Sequence, residues 1–205
     1  VEYFTILPDN TIADACVREL RKFGVDTRKI QRGEGRMGLY FLEAGSNQIP
    51  SRVVYDRAYS AISLADPASV DWKTVLAGRD WFHISGITPA ISRTAMELSL
   101  AAVHTAKEMG LTVSCDFNYR NSLWKYEGAD VKKTMSQLLT CVDVLSIGED
   151  DVRTRLGIPV ELSETDTKVQ RFEKLDAALM AAYPNLKLVV NTMRESMSAE
   201  RNGWS

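Results

Sequence analysis

The sequence predicts an α/β fold with a mostly parallel central sheet flanked by helices. From about residue 80 onward, short apolar runs alternate with longer segments of helical periodicity. Strands separated by helices imply right-handed crossovers and therefore parallel pairing. The composition fits the same class, because 205 residues with 45% hydrophobic and 25% charged side chains are ordinary values for one globular domain.

Four strands and four helices are expected in this alternating part. Ser92 is the expected N-cap of the first helix, and Gly110 is its expected C-terminal stop. Pro184 ends the last helix, because proline cannot continue it. The expected strands are residues 80–84, 111–115, 142–147 and 186–190, and the expected helices are residues 91–109, 131–139, 149–156 and 168–183.

Residues before position 80 do not alternate in this way. A helix is expected over residues 11–23, ended by Gly24. Two extended stretches, 36–43 and 52–59, follow it and are joined by a loop rich in turn residues. With no helix between them, they predict a small β-hairpin, 36–59, that stands off the main sheet. The pattern alone fits both a lid over a ligand and an edge extension of the sheet.

Both ends of the chain predict a piece of a longer protein. Val1 is not a methionine and leads directly into an apolar run. Asn202-Gly203 is a strong hairpin-turn signal with only two residues after it. We therefore expect residues 1–205 to form one incomplete α/β domain, with the hairpin 36–59 as a small β lid inserted in it.

Composition and spacing argue against several classes of function. Lys plus Arg is 25 and Asp plus Glu is 27, so the net charge of −2 does not favour a nucleic-acid partner. The longest apolar run, Ala177–Tyr183, is far shorter than the roughly 18 residues of a membrane helix. The two histidines have no companion at metal-ligand spacing. We interpret the three cysteines as reduced, buried and structural in a cytosolic protein, because none forms a CxxC pair.

Polar segments follow all four expected strands, at 85–89, 116–121, 148–151 and 191–196. Ligands of open parallel sheets bind beyond the carboxyl ends of the strands, so a site is expected at this edge. The segment 116–121 is the most informative, because it combines an acid, two amides, a tyrosine and an arginine. The planar fork of Arg120 suits a carboxylate or a phosphate, and a surface ion pair is the plainer alternative.

Two other groups of residues have both a structural and a functional interpretation. The acids Glu149, Asp150 and Asp151 begin a helix, where they favour the helix dipole, and magnesium binding near a nucleotide is the alternative. Aromatic residues of the hairpin either pack or face a polar ligand. No phosphate-binding GxxxxGK[ST] loop is present, and the only GxGxxG spacing, 33–38, precedes a strand and does not open a helix.

Several motifs occur in an order that resembles the 2-keto-3-deoxygluconate kinases of the ribokinase-like (PfkB) sugar kinase family. The segments are Arg36–Glu43, Val53–Arg57, His83–Ala90, Asp116–Arg120 and Leu123-Trp124. The resemblance implies a ribokinase-like fold and ATP-dependent phosphorylation of the terminal hydroxyl of 2-keto-3-deoxygluconate. It places a glycine-pair sugar motif before Val1 and a Gly-Ala-Gly-Asp motif, with the catalytic base, after Ser205. The 205 residues alone are therefore expected to be inactive.

The resemblance also implies roles for residues that are present. Asp151 falls at the acid of an Asn-x-x-Glu motif linked to Mg²⁺, although Gly148 replaces its asparagine. Residues 193–196 replace a Gly-x-x-Gly pattern near the nucleotide. The implied substrate contacts are Tyr40, Tyr55, Arg57, Ile87, Asn118 and Arg120, and the implied nucleotide contacts are Asn118, Thr192 and Arg194.

The expected ligands are an acid sugar, ATP and Mg²⁺, and the resemblance implies a cytoplasmic homodimer or higher homo-oligomer formed through the hairpin. Neither a membrane nor a nucleic acid is an expected partner. Three alternatives stay open at this point. They are a kinase of the same family for a neutral sugar such as fructose, a non-catalytic sugar-binding module, and an unrelated Rossmann-like enzyme.

Overall fold

A computed structural model describes residues 1–46, 49–196 and 202–204. It contains short strands and helices in nearly strict alternation after residue 80. The strands are β1 Ile6–Leu7, β2 Gln31–Arg32, β3 Leu39–Glu43, β4 Arg52–Asp56, β5 Trp81–Ser85, β6 Thr112–Asp116, β7 Val144–Ser146, β8 Leu188–Val190, β9 Arg194–Ser196 and β10 Asn202–Trp204. The helices are α1 Thr11–Lys22, α2 Ala61–Leu64, α3 Trp72–Leu76, α4 Arg93–Glu108, α5 Val131–Leu139 and α6 Lys168–Ala182.

The central sheet is parallel and has the strand order β5-β6-β7-β8. Helices α4, α5 and α6 connect its successive strands, as the alternation predicts. Ser92 caps α4 by accepting a hydrogen bond from the Ala95 amide at 3.1 Å, and Gly110 follows the helix with φ +81°. The α/β fold prediction is thus confirmed. The expected helix at 149–156 is present: residues 149–150 are α-helical, and the π-helical turn Asp151–Arg155 continues them.

The core lies on one face of this sheet. Val113 and Cys115 of β6 and Leu145 of β7 are at most 1% exposed, and they belong to one cluster with buried residues of α4, α5 and α6. Side chains alternate between the two faces of a strand, so the neighbouring residues of β6 point the other way. On that opposite face Trp81 and Leu188 stay more than half exposed in the described part of the chain.

Two small helices that the sequence analysis did not anticipate, α2 and α3, bridge the hairpin and the sheet. Trp72 of α3 is buried and meets Phe4 edge-on with ring centroids 4.7 Å apart. A second aromatic contact at 6.2 Å joins Trp72 to Phe82 of β5. Helices of four and five residues are shorter than the window in which a helical period becomes visible, which explains the omission.

At the amino end of the parallel strands, a buried aspartate ties three elements together. Asp143 is 1% exposed and accepts hydrogen bonds from Lys107 Nζ at 2.7 Å and from the Val113 amide at 2.9 Å. Lys187 Nζ lies 3.0 Å from the same carboxylate. Burial alone would raise the pKa of Asp143, but these donors outweigh it and hold the pKa below its ordinary value. The cluster stabilises the fold away from the strand ends where ligands bind.

The last described strands pair with each other. β9 and β10 are antiparallel, with Gly203 opposite Glu195. The turn expected at Asn202-Gly203 is therefore wrong, because both residues belong to strand β10. In the described ranges, no helix is both long and apolar enough to cross a membrane.

Candidate active site

A cavity of about 270 Å³ lies between the hairpin β3–β4, the first residues of the chain and the loop after β5. Its wall includes Tyr40 and Arg57, two of the six substrate contacts that the sequence resemblance implies. Thr88 contributes from the loop after β5, whereas its neighbour Ile87 is not part of the wall. The hairpin thus stands over a concave space.

The hairpin brings three predicted residues together. Tyr40 and Tyr55 are directly opposite in the antiparallel register, so their side chains lie on the same face. The Arg57 guanidinium lies over the Tyr55 ring, 5.3 Å from its centroid. This contact orients the Arg57 cation, which lines the cavity, against the Tyr55 ring.

Arg57 is the cation of this cavity that keeps its charge available. Arg36 also lines the wall, but its guanidinium forms an ion pair with Asp56 and donates to the Ala58 carbonyl at 2.9 Å. No carboxylate partner of Arg57 occurs among residues 1–46, 49–196 and 202–204. An anionic group entering the cavity would therefore meet an uncompensated positive charge at Arg57.

Cys16 lines the same cavity and is half-buried, so the interpretation of all three cysteines as buried is wrong at this position. The other two, Cys115 and Cys141, are buried and unbridged as expected. Burial and the nearby charge of Asp116 raise the pKa of Cys115, which keeps that thiol protonated.

A second group of predicted residues meets beyond the carboxyl ends of β5 and β6. The Ser85 hydroxyl accepts from Asn118 Nδ2 at 3.1 Å and from the Ile87 amide at 3.3 Å. Gly86 permits this approach, because a Cβ there would lie 2.0 Å from the Phe117 carbonyl oxygen. Asn118 itself has φ +44°, a left-handed conformation that asparagine tolerates better than most residues. Ile87 and Asn118 are thus held beside the same hydroxyl.

Asp151 lies among charges from the ends of β6 and β7. Burial raises the pKa of Asp151 above its ordinary value, and the carboxylates of Asp150 and Asp116 add to this effect. The guanidinium groups of Arg155 and Arg120 oppose it. Its neighbour Glu149 differs, because Arg171 at 2.5 Å and Arg153 at 3.3 Å neutralise it. The acid in the predicted metal position therefore has no direct ion pair among the described residues, whereas Glu149 has two.

Arg120 and Arg155 hold the same tyrosine from two sides. Arg120 is exposed and donates from Nη1 to the Tyr119 carbonyl at 2.7 Å. Arg155 lies over the Tyr119 ring, 4.1 Å from its centroid. Arg155 was not predicted from the sequence, because a contact between residues 36 positions apart leaves no local pattern. Its position four residues after Asp151 on one helical turn was the only signal that could have pointed to it.

Fewer contacts are described for Thr192 and Arg194, two of the predicted nucleotide contacts, than for the residues above. Thr192 is exposed, two residues past the end of β8. Its neighbour Asn191 donates from Nδ2 to both carboxylate oxygens of Asp176, at 2.9 and 2.8 Å. Arg194 lies in β9, but its side chain is outside the described part of the structure. No described contact joins Thr192 to Asn118.

The donor set at Asp151 suits magnesium better than a transition metal. Mg²⁺ is usually held by one or two carboxylates together with substrate phosphates, and Asp151 and Asp116 are close enough to influence each other. The described residues contain no group of three or more His, Cys, Asp or Glu side chains that could enclose an ion alone. A magnesium ion here would depend on phosphate oxygens for the rest of its ligands.

The fold is that of an α/β protein with a cavity under its hairpin and polar residues beyond the carboxyl ends of its parallel strands. The chain belongs to the pfkB family of carbohydrate kinases, whose family model matches residues 1–182. Membership in this family confirms the ribokinase-like fold and the sugar kinase class that the motifs predict.

Several known sugar acid kinases are similar to this chain in sequence or structure. The crystal structure of 2-dehydro-3-deoxygluconokinase from Thermotoga maritima is 43% identical, with a TM-score of 0.89 over 99% of this chain and 60% of that one. A 2-dehydro-3-deoxygalactonokinase from Haloferax volcanii is 36% identical over 154 residues, or 74% of this chain and 47% of the relative. A 2-dehydro-3-deoxygluconokinase from Bacillus subtilis is 30% identical over 135 residues, or 62% and 39%. The chain spans less than half the length of these two curated relatives.

Proposed function

We propose that the complete protein transfers the γ-phosphoryl group of ATP to the terminal hydroxyl of 2-keto-3-deoxygluconate, giving 2-keto-3-deoxy-6-phosphogluconate. The observation that carries this proposal is the charge of Arg57, which lies over the Tyr55 ring and has no described carboxylate partner, in a cavity that Tyr40 also lines. A sugar acid has a carboxylate that pairs with such an arginine, and a neutral sugar has none.

The energy of a hydrogen bond to a charged group supports an acid substrate. A hydrogen bond to a charged group contributes about 1.5–3 kcal/mol, against about 0.5–1.5 kcal/mol for a neutral pair. Arg57 is half-buried, so a neutral ligand that excluded water from it would leave its charge without a counter-ion. The charge therefore favours an acid sugar and opposes a neutral one.

The choice between two epimers rests on the relatives. Proteins whose names specify the gluconate epimer are 43% and 30% identical to this chain, and a galactonate kinase is 36% identical. We favour the gluconate epimer, because the 43% match extends over 99% of the chain. The galactonate epimer is the second candidate.

The residues at the strand ends would orient the reacting groups. Asn118 and Arg120 would lie between the sugar and the transferred phosphate, and Thr192 and Arg194 would lie near the nucleotide. Asp151 with Asp116 would hold Mg²⁺, which supplies charge neutralisation to the phosphates during transfer. Positioning and charge stabilisation account for most of the catalysis in phosphoryl transfer. The 205 residues contain no Gly-Ala-Gly-Asp segment, so the catalytic base of the family is not among them.

The hairpin would also join two subunits. Phe41 and Leu42 are 55% and 62% exposed, and they lie on opposite faces of β3. An isolated two-stranded hairpin is marginally stable in water, so these faces are expected to be covered. We propose a homodimer in which the hairpins of two copies pack together. A dimeric mass of the complete protein by light scattering, lost in Phe41→Glu, is the expected result, and a monomeric wild type contradicts it.

An ADP-release assay on the complete gene product tests the function. The substrates are 2-keto-3-deoxygluconate, 2-keto-3-deoxygalactonate, fructose, ribose and gluconate, with and without Mg²⁺. We expect the highest kcat/KM with 2-keto-3-deoxygluconate. Preference for the galactonate epimer would keep the acid-sugar class and change the substrate, whereas activity on fructose or ribose alone would contradict the role of Arg57.

A further inference from the structure

Ser60 has a buried hydroxyl that nothing in the described structure uses. The residue is 2% exposed, and its Oγ has no hydrogen-bond partner among the described residues. Ser60 also lines the cavity that contains Arg57 and Tyr40. Buried polar groups are nearly always paired, so an unpaired hydroxyl on a cavity wall indicates a partner that enters from outside.

The backbone around Ser60 is fixed, and only the side chain is left over. Its amide donates to the Arg57 carbonyl at 3.3 Å, and its carbonyl accepts from the Ser63 and Leu64 amides at 2.8 and 3.1 Å. Ser60 occupies the N-cap position of α2, yet its side chain makes no capping hydrogen bond. A serine at that position would ordinarily cap the helix, so this hydroxyl is free for another use.

Close packing keeps the hydroxyl where it is. A Cβ built on Gly38 would lie 3.2 Å from Ser60 Cβ and 3.6 Å from Ser60 Oγ, so the residue just before strand β3 passes directly against this serine. A rigid side chain loses little conformational entropy when a ligand binds, which makes a single hydrogen bond more effective.

We propose that the Ser60 hydroxyl hydrogen-bonds the sugar in this cavity and is a substrate-binding residue. A hydroxyl both donates and accepts, so it can pair with a sugar hydroxyl, a keto oxygen or a carboxylate. Ser60 and Arg57 are three residues apart and line the same wall, so one substrate can contact both. This inference rests on the proposed sugar kinase function and adds a specificity residue to it.

The comparison of Ser60→Ala with Ser63→Ala in the complete protein tests the proposal. Ser63 is a matched control, because it is a buried serine of the same short helix whose hydroxyl already donates to the Ser60 carbonyl at 2.7 Å. We expect Ser60→Ala to raise the KM for the sugar about tenfold while kcat changes less. Its melting temperature should stay equal or rise, because no hydrogen bond of the free protein is lost. Ser63→Ala should lower the melting temperature and leave the KM unchanged.

The possible outcomes separate the two proposals. A Ser60→Ala protein with an unchanged KM, or one that no longer folds, overturns the role of Ser60 and leaves the kinase function intact. Ser60→Cys, which keeps the shape and has only a weak donor, should show a KM between those of the wild type and Ser60→Ala. If the wild type accepts only a neutral sugar, the acid substrate is wrong. An unchanged KM of Ser60→Ala for that neutral sugar would then overturn the role of Ser60. A wild type that phosphorylates no sugar of the panel overturns both.

Discussion

Asp143 and Asp151 lie at opposite ends of strand β7, and their surroundings differ in charge. Asp143 is fully buried and surrounded by two lysines and a backbone amide, which lower its pKa. Asp151 is half-buried, and burial raises its pKa, with two carboxylates adding to this effect and two guanidinium groups opposing it. Asp143 is thus compensated by donors that contact it directly, whereas the pKa of Asp151 stays raised by burial although two guanidinium groups oppose the shift. A carboxylate that is costly to ionise at the ligand-binding edge of a sheet is typical of functional sites, whereas the paired one serves stability.

The largest effect on stability is expected from substitution of Asp143, the aspartate that is paired with two lysines. Asp143→Ala leaves the Val113 amide without its acceptor and two lysines without their counter-ion. We expect a loss of about 2–4 kcal/mol in the free energy of unfolding, measured by urea denaturation. Asp143→Asn is the matched control, because it keeps an acceptor for the amide and should lose less. A loss of under about 0.5 kcal/mol for Asp143→Ala, typical of a neutral surface position, would contradict the assignment.

The pH dependence of this stabilisation follows from the direction of the pKa shift. A carboxylate whose pKa is lowered by folding contributes stability above its unfolded value of 3.8, and that contribution is lost as the pH falls through the folded pKa. The difference in unfolding free energy between wild type and Asp143→Asn should therefore be constant from about pH 7 to pH 5 and shrink below about pH 4. A difference that grows on acidification would show that folding raises the pKa of Asp143, which contradicts the prediction.

At the other end of the strand, charge removal should affect function more than folding. Arg120 is exposed and forms no ion pair with the described residues. Arg120→Ala in the complete protein should raise the KM for the sugar acid by roughly 10–100-fold, which corresponds to one charge-assisted hydrogen bond. The melting temperature should hardly change. An unchanged Michaelis constant for 2-keto-3-deoxygluconate would remove Arg120 from the substrate contacts.

Asp151→Asn should have an opposite effect on stability to that of Asp143→Asn. Folding raises the pKa of Asp151, so its ionised form costs stability at pH values above the ordinary 3.8. The substitution removes this cost, and we expect the melting temperature at pH 7 to rise by about 1–3 °C. Activity should fall in the same variant if the carboxylate holds Mg²⁺. A lower melting temperature would show that Asp151 is compensated after all.

The sequence predicted the parts of the fold that repeat over many residues. Helices α4, α5 and α6 and the strands between them are long enough, or regular enough in their alternation, for a period to be read. The two short helices and the β1–β2 pair depend on tertiary contacts such as that of Trp72 with Phe4, which no local window contains. Turn chemistry misled at Asn202-Gly203, where strand pairing determines the backbone.

The residues of the candidate site likewise fall into those that the sequence predicted and those that it did not. Motifs placed Tyr40, Tyr55 and Arg57 on one hairpin, and the register then brought them together. Ser60 and Arg155 were not foreseen, because what distinguishes them is a relation to distant residues. An unused hydroxyl becomes visible only when all its neighbours are known. The same is true of a guanidinium that lies over a ring.

The smallest expected effect on stability concerns the guanidinium of Arg155. Arg155 stacks on Tyr119 and is the strongest opposing charge at Asp151, so it links this acid to the segment that carries Asn118 and Arg120. A double-mutant cycle of Arg155→Gln and Tyr119→Leu should give a coupling of about 0.5–1 kcal/mol in unfolding free energy. Tyr119→Phe keeps the ring and should retain most of it. Additive effects of the two substitutions would show that the stack holds nothing in place, and the order of this loop would then rest on the Asn118–Ser85 hydrogen bond.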